Sequence, residues 1–283
     1  MSAAARASLT KKLYRTLKKA YPRVRMPVKD RPVLEHLLYA CCLENSSSSD
    51  ANSAYTRLQS LYCDWNEVRV TTVSELTEEL SMLNDPGEAA VRIKKGLHNI
   101  FETIYKFDLE HLTKQKLSQS MSDLKSWRGF TDYGIHYVVQ NGLESHSIPI
   151  NGAAFDALIV LGIATEANKK AHKIPGLERT IAKNQGVEFG ALLHQLGVDF
   201  ASNPYGKKVR ELLLSVDKKC EPNLPQKPSA KDEAEEPVSN KKSSTKKKAA
   251  TKKTAAKKKT TKKATAKKTT KKAAAKKSTK KKG

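Results

Sequence analysis

The 283-residue chain carries 53 Lys and Arg against 29 Asp and Glu, and most of this basic excess lies at one end. Residues 241–283 contain 21 lysines and no acid, which leaves 32 basic and 29 acidic residues in residues 1–240. No apolar run approaches the roughly 18 residues of a membrane helix, and no apolar signal core follows the N-terminus, so a membrane or secreted protein is not expected. A near-neutral body and a basic tail are therefore considered separately.

The N-terminal segment, residues 1–29, is predicted to be a basic helix followed by a connector. Leu9, Leu13 and Leu17 fall on one face of the helix, with lysine and arginine around them. The helix either packs on the body, adds a phosphate-contacting arm or serves as a targeting peptide. Prolines then break the helix and form the connector.

A helical domain is expected over residues 30–218, followed by a linker over residues 219–240. No strand-like alternation recurs, so the predicted class is all-α. Apolar residues recur at helical spacing over residues 32–43, 51–62, 72–83, 88–107, 113–124, 175–182, 187–200 and 205–216. The four cysteines, Cys41, Cys42, Cys63 and Cys220, show no paired spacing and are expected to be reduced thiols.

The most informative pattern lies in residues 124–156. A tight turn over residues 128–131 leads into a helix that Asn141-Gly142 ends. Asn151-Gly152 then precedes a second helix. This layout resembles the helix-hairpin-helix module of the endonuclease III class of DNA glycosylases, the HhH-GPD superfamily. The resemblance implies a two-lobed helical fold, binding to double-stranded DNA and a role in base-excision repair.

The sequence departs from the family pattern at the residues on which the family's chemistry depends. The family hairpin reads L-P-G-V-G-x-K-T-A, with a V-D dipeptide further along, and residues 127–135 and Ile150-Asn151 lie on these two patterns. The lysine nucleophile is replaced by Tyr133, which cannot form a Schiff base, and the aspartate is replaced by Asn151, which has no charge. Asp132 is the only nearby carboxylate, and a helix-dipole role suits it better. No catalytic residue is assigned, and glycosylase activity is not expected.

Binding to DNA does not depend on those two residues. Backbone N–H groups at a helix N-terminus hold phosphate, so the candidate DNA-binding residues of the hairpin are Arg128, Gly129, Phe130 and Thr131. In the family, a loop glutamine enters the DNA beside the extruded nucleotide, and Asn45 falls at about that place. Alternatively, the serines after Asn45 only cap the next helix.

No cofactor or metal is expected. Leu192–Gly197 resembles the late helix that precedes an iron–sulfur loop in the family, but only Cys220 follows it. A four-cysteine cluster cannot be built from one thiol. His194, within this segment, is interpreted as a packing residue.

Residues 241–283 consist almost entirely of lysine, alanine, threonine and serine, and their composition is similar to that of linker-histone tails. Such a segment cannot bury enough surface to fold alone and is predicted to be disordered, with lysines such as Lys241, Lys246 and Lys257 contacting phosphates. The expected location is cytoplasmic and nucleoid-associated, or nuclear in a eukaryote. Three functions stay open: a non-catalytic DNA-binding protein, a monofunctional glycosylase with relocated catalytic groups, and a chromosome-compacting protein acting through its tail.

Overall fold

The computed structural model describes residues 1–226, which form α-helices and two 3₁₀ helices and contain no strand. The α-helices, α1 to α13 in chain order, are Ala3–Ala20, Val33–Leu43, Ser48–Leu61, Trp65–Val70, Val73–Glu79, Pro86–Ile104, Leu117–Ser126, Asp132–Asn141, Gly152–Val160, Glu166–Lys170, Leu177–Thr180, Lys183–Ser202 and Lys207–Val216. The 3₁₀ helices are Glu110–Lys114 and Lys218–Asn223. None of the described helices combines the length and apolar character that a membrane crossing requires.

The predicted all-α class is confirmed by this arrangement. The predicted disordered tail over residues 241–283, with Lys241, Lys246 and Lys257, lies outside the described residues. Most of the predicted linker over residues 219–240 lies outside them as well.

The helices build two lobes, each around its own buried core. Lobe 1 consists of α2 to α8, and lobe 2 of α1 and α9 to α13. Helix α2 is the centre of lobe 1, because it is apolar on all sides and every residue except Glu35 is buried. It packs on α3, α6 and α8. The two-lobed architecture expected from the sequence is therefore observed.

Helix α1 belongs to lobe 2 and is not a separate arm. Ser2 caps its N-terminus by accepting a hydrogen bond from the N–H of Ala5, and Leu13 and Leu17 are fully buried. Tyr14 donates a hydrogen bond to Glu188 of α12, which also holds α1 against lobe 2. At the other end, Cys220 and Leu224 are buried in the lobe 2 core, so the packed body continues beyond residue 218.

A histidine lies inside the lobe 1 core. The side chain of His36 is fully buried in α2, and neither ring nitrogen makes a well-formed hydrogen bond. Burial, reinforced by the nearby charge of Arg31, lowers the pKa of His36 to about 4. The ring is therefore neutral near pH 7, because protonation would place a positive charge in the core of lobe 1.

This histidine makes stability depend on pH. The unfolded chain binds the proton near pH 6.5 and the folded chain only near pH 4, so stability is lost as pH falls through this window. Because of His36, we expect the free energy of unfolding to be about 2 kcal/mol lower at about pH 5 than at about pH 7.5. His36→Leu should remove that share, measured by urea unfolding at both pH values. An identical pH dependence in both proteins would contradict this assignment.

Candidate nucleic-acid interface

The hairpin turn between α7 and α8 is fixed on helix α6. Gly129 has φ of +116°, and a Cβ added to it would lie 2.7 Å from the backbone N of Gly96. Only glycine combines this backbone conformation with so close an approach. The N–H of Arg128 also donates to Oδ1 of Asn99, at 3.3 Å. The turn is therefore held on α6 by close backbone packing at Gly129 and by the side chain of Asn99.

The four hairpin residues expected to bind DNA have different surroundings. Arg128 is exposed, while Thr131 caps α8 through a hydrogen bond from the N–H of Gly134 to its hydroxyl, at 3.2 Å. Gly129 forms the tight turn. The half-buried ring of Phe130 packs against Gly96, so it contributes to the seating of the turn on α6.

Asn45 lies at the rim of lobe 1, in the loop that follows α2. Its amide Nδ2 donates to Oδ2 of Asp85 at 3.0 Å, and its carbonyl accepts a hydrogen bond from the Asn84 amide at 2.7 Å. The loop is therefore tied to the start of α6. Entry of Asn45 into DNA requires the hydrogen bond to Asp85 to break.

The residue that joins these segments is Glu44, which the sequence analysis did not single out. Its Oε2 accepts hydrogen bonds from the hydroxyl of Thr131 and the guanidinium of Arg92, both at 2.8 Å. Only 13% of its side chain is exposed. Burial raises the pKa of Glu44, and Arg92 and Thr131 oppose that shift. A carboxylate thus lies at the base of the hairpin, where the sequence offered only Asp132.

Lobe 2 binds the C-terminal end of α2 through two side chains. Nδ2 of Asn151 donates to the carbonyl of Glu44, and Nε2 of His194 donates to the carbonyl of Leu43, both at 2.7 Å. Helix ends leave such carbonyls without partners, and here the other lobe supplies the donors. His194 is thus a buried packing histidine, and burial lowers its pKa to about 4.

Both polar atoms of the Asn151 side-chain amide make hydrogen bonds. Its Oδ1 caps α9 by accepting a hydrogen bond from the N–H of Ala154 at 2.9 Å, while Nδ2 is bound to Glu44. An aspartate at this position would cap the helix equally well but could not donate to the carbonyl. The amide is therefore required by the packing of the two lobes.

Tyr133, at the position of the family lysine, is buried at the junction of the lobes. Burial raises its pKa well above the ordinary value for a tyrosine. A cavity of about 20 Å³ adjoins it, lined by residues that include Met26, Pro27, Tyr39, Tyr133, Tyr137 and His194. This volume suits about one water molecule, whereas ligand pockets hold roughly 300–1,000 Å³.

The cysteines do not fit an iron–sulfur cluster. Cys220, the only one after α12, is buried in lobe 2, whereas Cys41 and Cys42 lie in α2 of lobe 1. Within residues 1–226, no three His, Cys, Asp or Glu side chains lie close enough together to hold a metal ion. Between α12 and residue 226, the chain forms α13 and a 3₁₀ helix. The expectation that no cofactor is bound stays a prediction.

Solved structures share this architecture. A non-covalent endonuclease III–DNA complex is similar over 77% of this chain and 99% of that chain, with a TM-score of 0.53 and 13% identity. A trapped endonuclease III–DNA covalent intermediate matches 71% of this chain and 86% of its own, with a TM-score of 0.49 and 14% identity. A thermostable thymine-DNA glycosylase matches 71% of this chain and 89% of its own, with a TM-score of 0.49 and 13% identity.

No protein-family model and no curated protein matches the chain. The likeness to endonuclease III nevertheless covers nearly the whole of that chain, so the fold is an endonuclease III-like, helix-hairpin-helix DNA glycosylase fold. The resemblance inferred from the hairpin pattern is confirmed at the level of the fold.

The seating of the hairpin can be tested with Gly129→Ala. The added methyl group would meet α6 in a backbone conformation that disfavours a side chain, so we expect a loss of about 1–3 kcal/mol in the free energy of unfolding. Gly152→Ala is the matched control, because its Cβ would meet no atom within 4 Å. Equal urea midpoints for the two variants would contradict the proposed seating.

The role of the Asn151 amide can be tested with Asn151→Asp. The new carboxylate would face the Glu44 carbonyl without a proton to donate, so we expect a loss of about 1–3 kcal/mol near neutral pH. Asn168→Asp is the control, because Oδ1 of Asn168 accepts the N–H of Thr165 in the capping box of α10, and an aspartate retains that acceptor. Urea unfolding compares the two, and a stable Asn151→Asp protein would refute the role assigned to the amide.

Proposed function

We propose that this protein binds double-stranded DNA on a glycosylase fold without releasing bases. The observation that carries this proposal is the cavity of about 20 Å³ beside Tyr133. An enzyme that acts on a base in duplex DNA must extrude that base into a pocket. The cavity in this structure has room for about one water and none for a base.

The hairpin supplies the proposed contact with DNA. The N-terminus of α8 carries a partial positive charge, and the exposed Arg128 lies beside it. Lys95 and Lys125 are exposed near the same turn. The endonuclease III structure with this fold is a complex with DNA, which supports the same partner for this chain. These contacts would bind the sugar–phosphate backbone without reading sequence.

The lysine-rich tail is proposed to add affinity. Residues 241–283 carry 21 lysines, and a tethered basic segment raises the local concentration of the body on DNA. If about ten lysines bind phosphates, the log–log slope of affinity against salt should be roughly −9. Such a protein would be associated with the nucleoid or, in a eukaryote, with nuclear DNA.

Three side chains argue against base release. Tyr133 has no amine for a Schiff base, and Asn151 has no charge and no free amide atom. The Glu44 carboxylate lies at the junction but is occupied by Arg92. The groups that a glycosylase needs are thus either missing or engaged.

A second candidate, a monofunctional glycosylase, is favoured by one observation. Glu44 is a buried carboxylate, and burial raises its pKa, as is common for general bases.

One experiment distinguishes the two candidates: the full-length protein is incubated with duplexes that carry a panel of base lesions. We expect binding and no free base. Free base that disappears with Glu44→Gln would support the enzyme instead.

The hairpin contact predicts a specific salt dependence. Arg128→Gln should weaken duplex binding and reduce the log–log salt slope by about 1, because one phosphate contact is lost. Lys207→Gln is the control, since Lys207 is 88% exposed on α13 of lobe 2. Fluorescence anisotropy at several salt concentrations gives both slopes. Equal effects of the two substitutions on the salt slope would contradict a phosphate contact at Arg128.

A further inference from the structure

A second surface of lobe 1 lies apart from the lobe junction and borders the hairpin contact of the proposed function at Lys95. On helix α6, Val91, Lys94, His98 and Phe101 follow one another at intervals of three or four residues and form a stripe along one face. Val91 and Phe101 lie about 15 Å apart along the helix axis. Tyr105 follows directly after the helix, with φ of +55°, and its ring centre lies 6.1 Å from that of Phe101. Part of this stripe borders a groove of about 670 Å³. The opposite wall comes from the end of α4 and the start of α5.

The ionisable residues that line this groove are all basic: Arg69, Lys94, Lys95 and His98. The ammonium group of Lys94 donates to the backbone carbonyls of Arg69 and Thr71, so its charge is fixed at the end of α4 without a carboxylate. Glu75 of α5 lies close enough to Lys94 for their charges to interact, and Glu102 contacts His98 at 3.1 Å. Neither carboxylate is among the residues that line the groove. The groove therefore has the charge that attracts an anionic partner.

The floor and one end of this surface are apolar and aromatic. Val70 is 61% exposed, and Val73 and Val91 line the groove beside it. The guanidinium of Arg69 lies 4.4 Å from the centre of the Phe101 ring, which links the groove to the aromatic end of the stripe. Tyr105 lies there with 76% of its surface exposed.

We infer that this groove, with the Tyr105 ring at its end, is a binding site for single-stranded nucleic acid. Sites of this kind combine a basic groove that follows the phosphates with aromatic faces on which bases stack. A duplex keeps its bases stacked on one another and would leave the valines and the tyrosine unused. The site goes beyond the hairpin contact, with which it shares Lys95, because its valines and aromatic rings take no part in that contact.

The test uses the full chain and a labelled oligothymidine of about 12 nucleotides, with binding followed by fluorescence anisotropy. A salt concentration of about 0.3 M weakens the contribution of the lysine-rich tail. Three variants are compared with the wild type. Tyr105→Ala removes the ring, Tyr105→Phe retains it, and Tyr205→Ala removes another exposed tyrosine, one that lies in lobe 2.

Loss of one stacking ring should weaken binding about 5- to 150-fold in Tyr105→Ala. Tyr105→Phe and Tyr205→Ala should bind like the wild type. Photo-crosslinking with an iodouracil-containing strand should also label residues 94–107 of the wild type. Unchanged affinity in Tyr105→Ala, with crosslinks confined to the tail, would overturn the proposal, and the groove would then fit an acidic protein segment.

Discussion

The contacts of Glu44 are the constraint on which the rest of the molecule depends. Its carboxylate accepts hydrogen bonds from Arg92 of α6 and Thr131 of α8, and its carbonyl accepts one from Asn151 at the start of α9. Four helices and both lobes therefore meet at one residue. A buried carboxylate without partners costs several kcal/mol, so the position of each partner is tightly defined. The hydrogen bond from Thr131 to Glu44 joins the hairpin to this junction.

The same constraint gives Asn151 and Tyr133 a structural role at the lobe junction. Asn151 must donate to a helix carbonyl, which a carboxylate cannot do. Tyr133 fills the space between the lobes, packing 6.0 Å from His194 and 6.2 Å from Tyr137 by ring centres. Both replacements therefore contribute to packing at the junction. Above the junction, the exposed turn presents Arg128 and the start of α8.

The sequence predicted the helical class and the hairpin, because helical periodicity and the glycine turn are local signals. The two lobes were expected only from the resemblance to the endonuclease III class. The sequence did not predict the role of Glu44, which lies 48 residues from Arg92 and 87 from Thr131 and has no neighbouring pattern to mark it. Helix α4 was also missed, since six residues are too few for a periodic signal. The groove beside α6 depends on α4, so it could not be recognised before the fold was known.

The claim that the lobe junction admits no base can be measured directly. A duplex containing 2-aminopurine is titrated with the full-length protein to saturation, as judged by anisotropy, and the emission of the reporter base is followed. A base that leaves the stack emits more strongly. We expect saturation with no rise in emission at any tested position in the duplex. A clear rise on binding, from a base extruded toward Tyr133, would contradict the account.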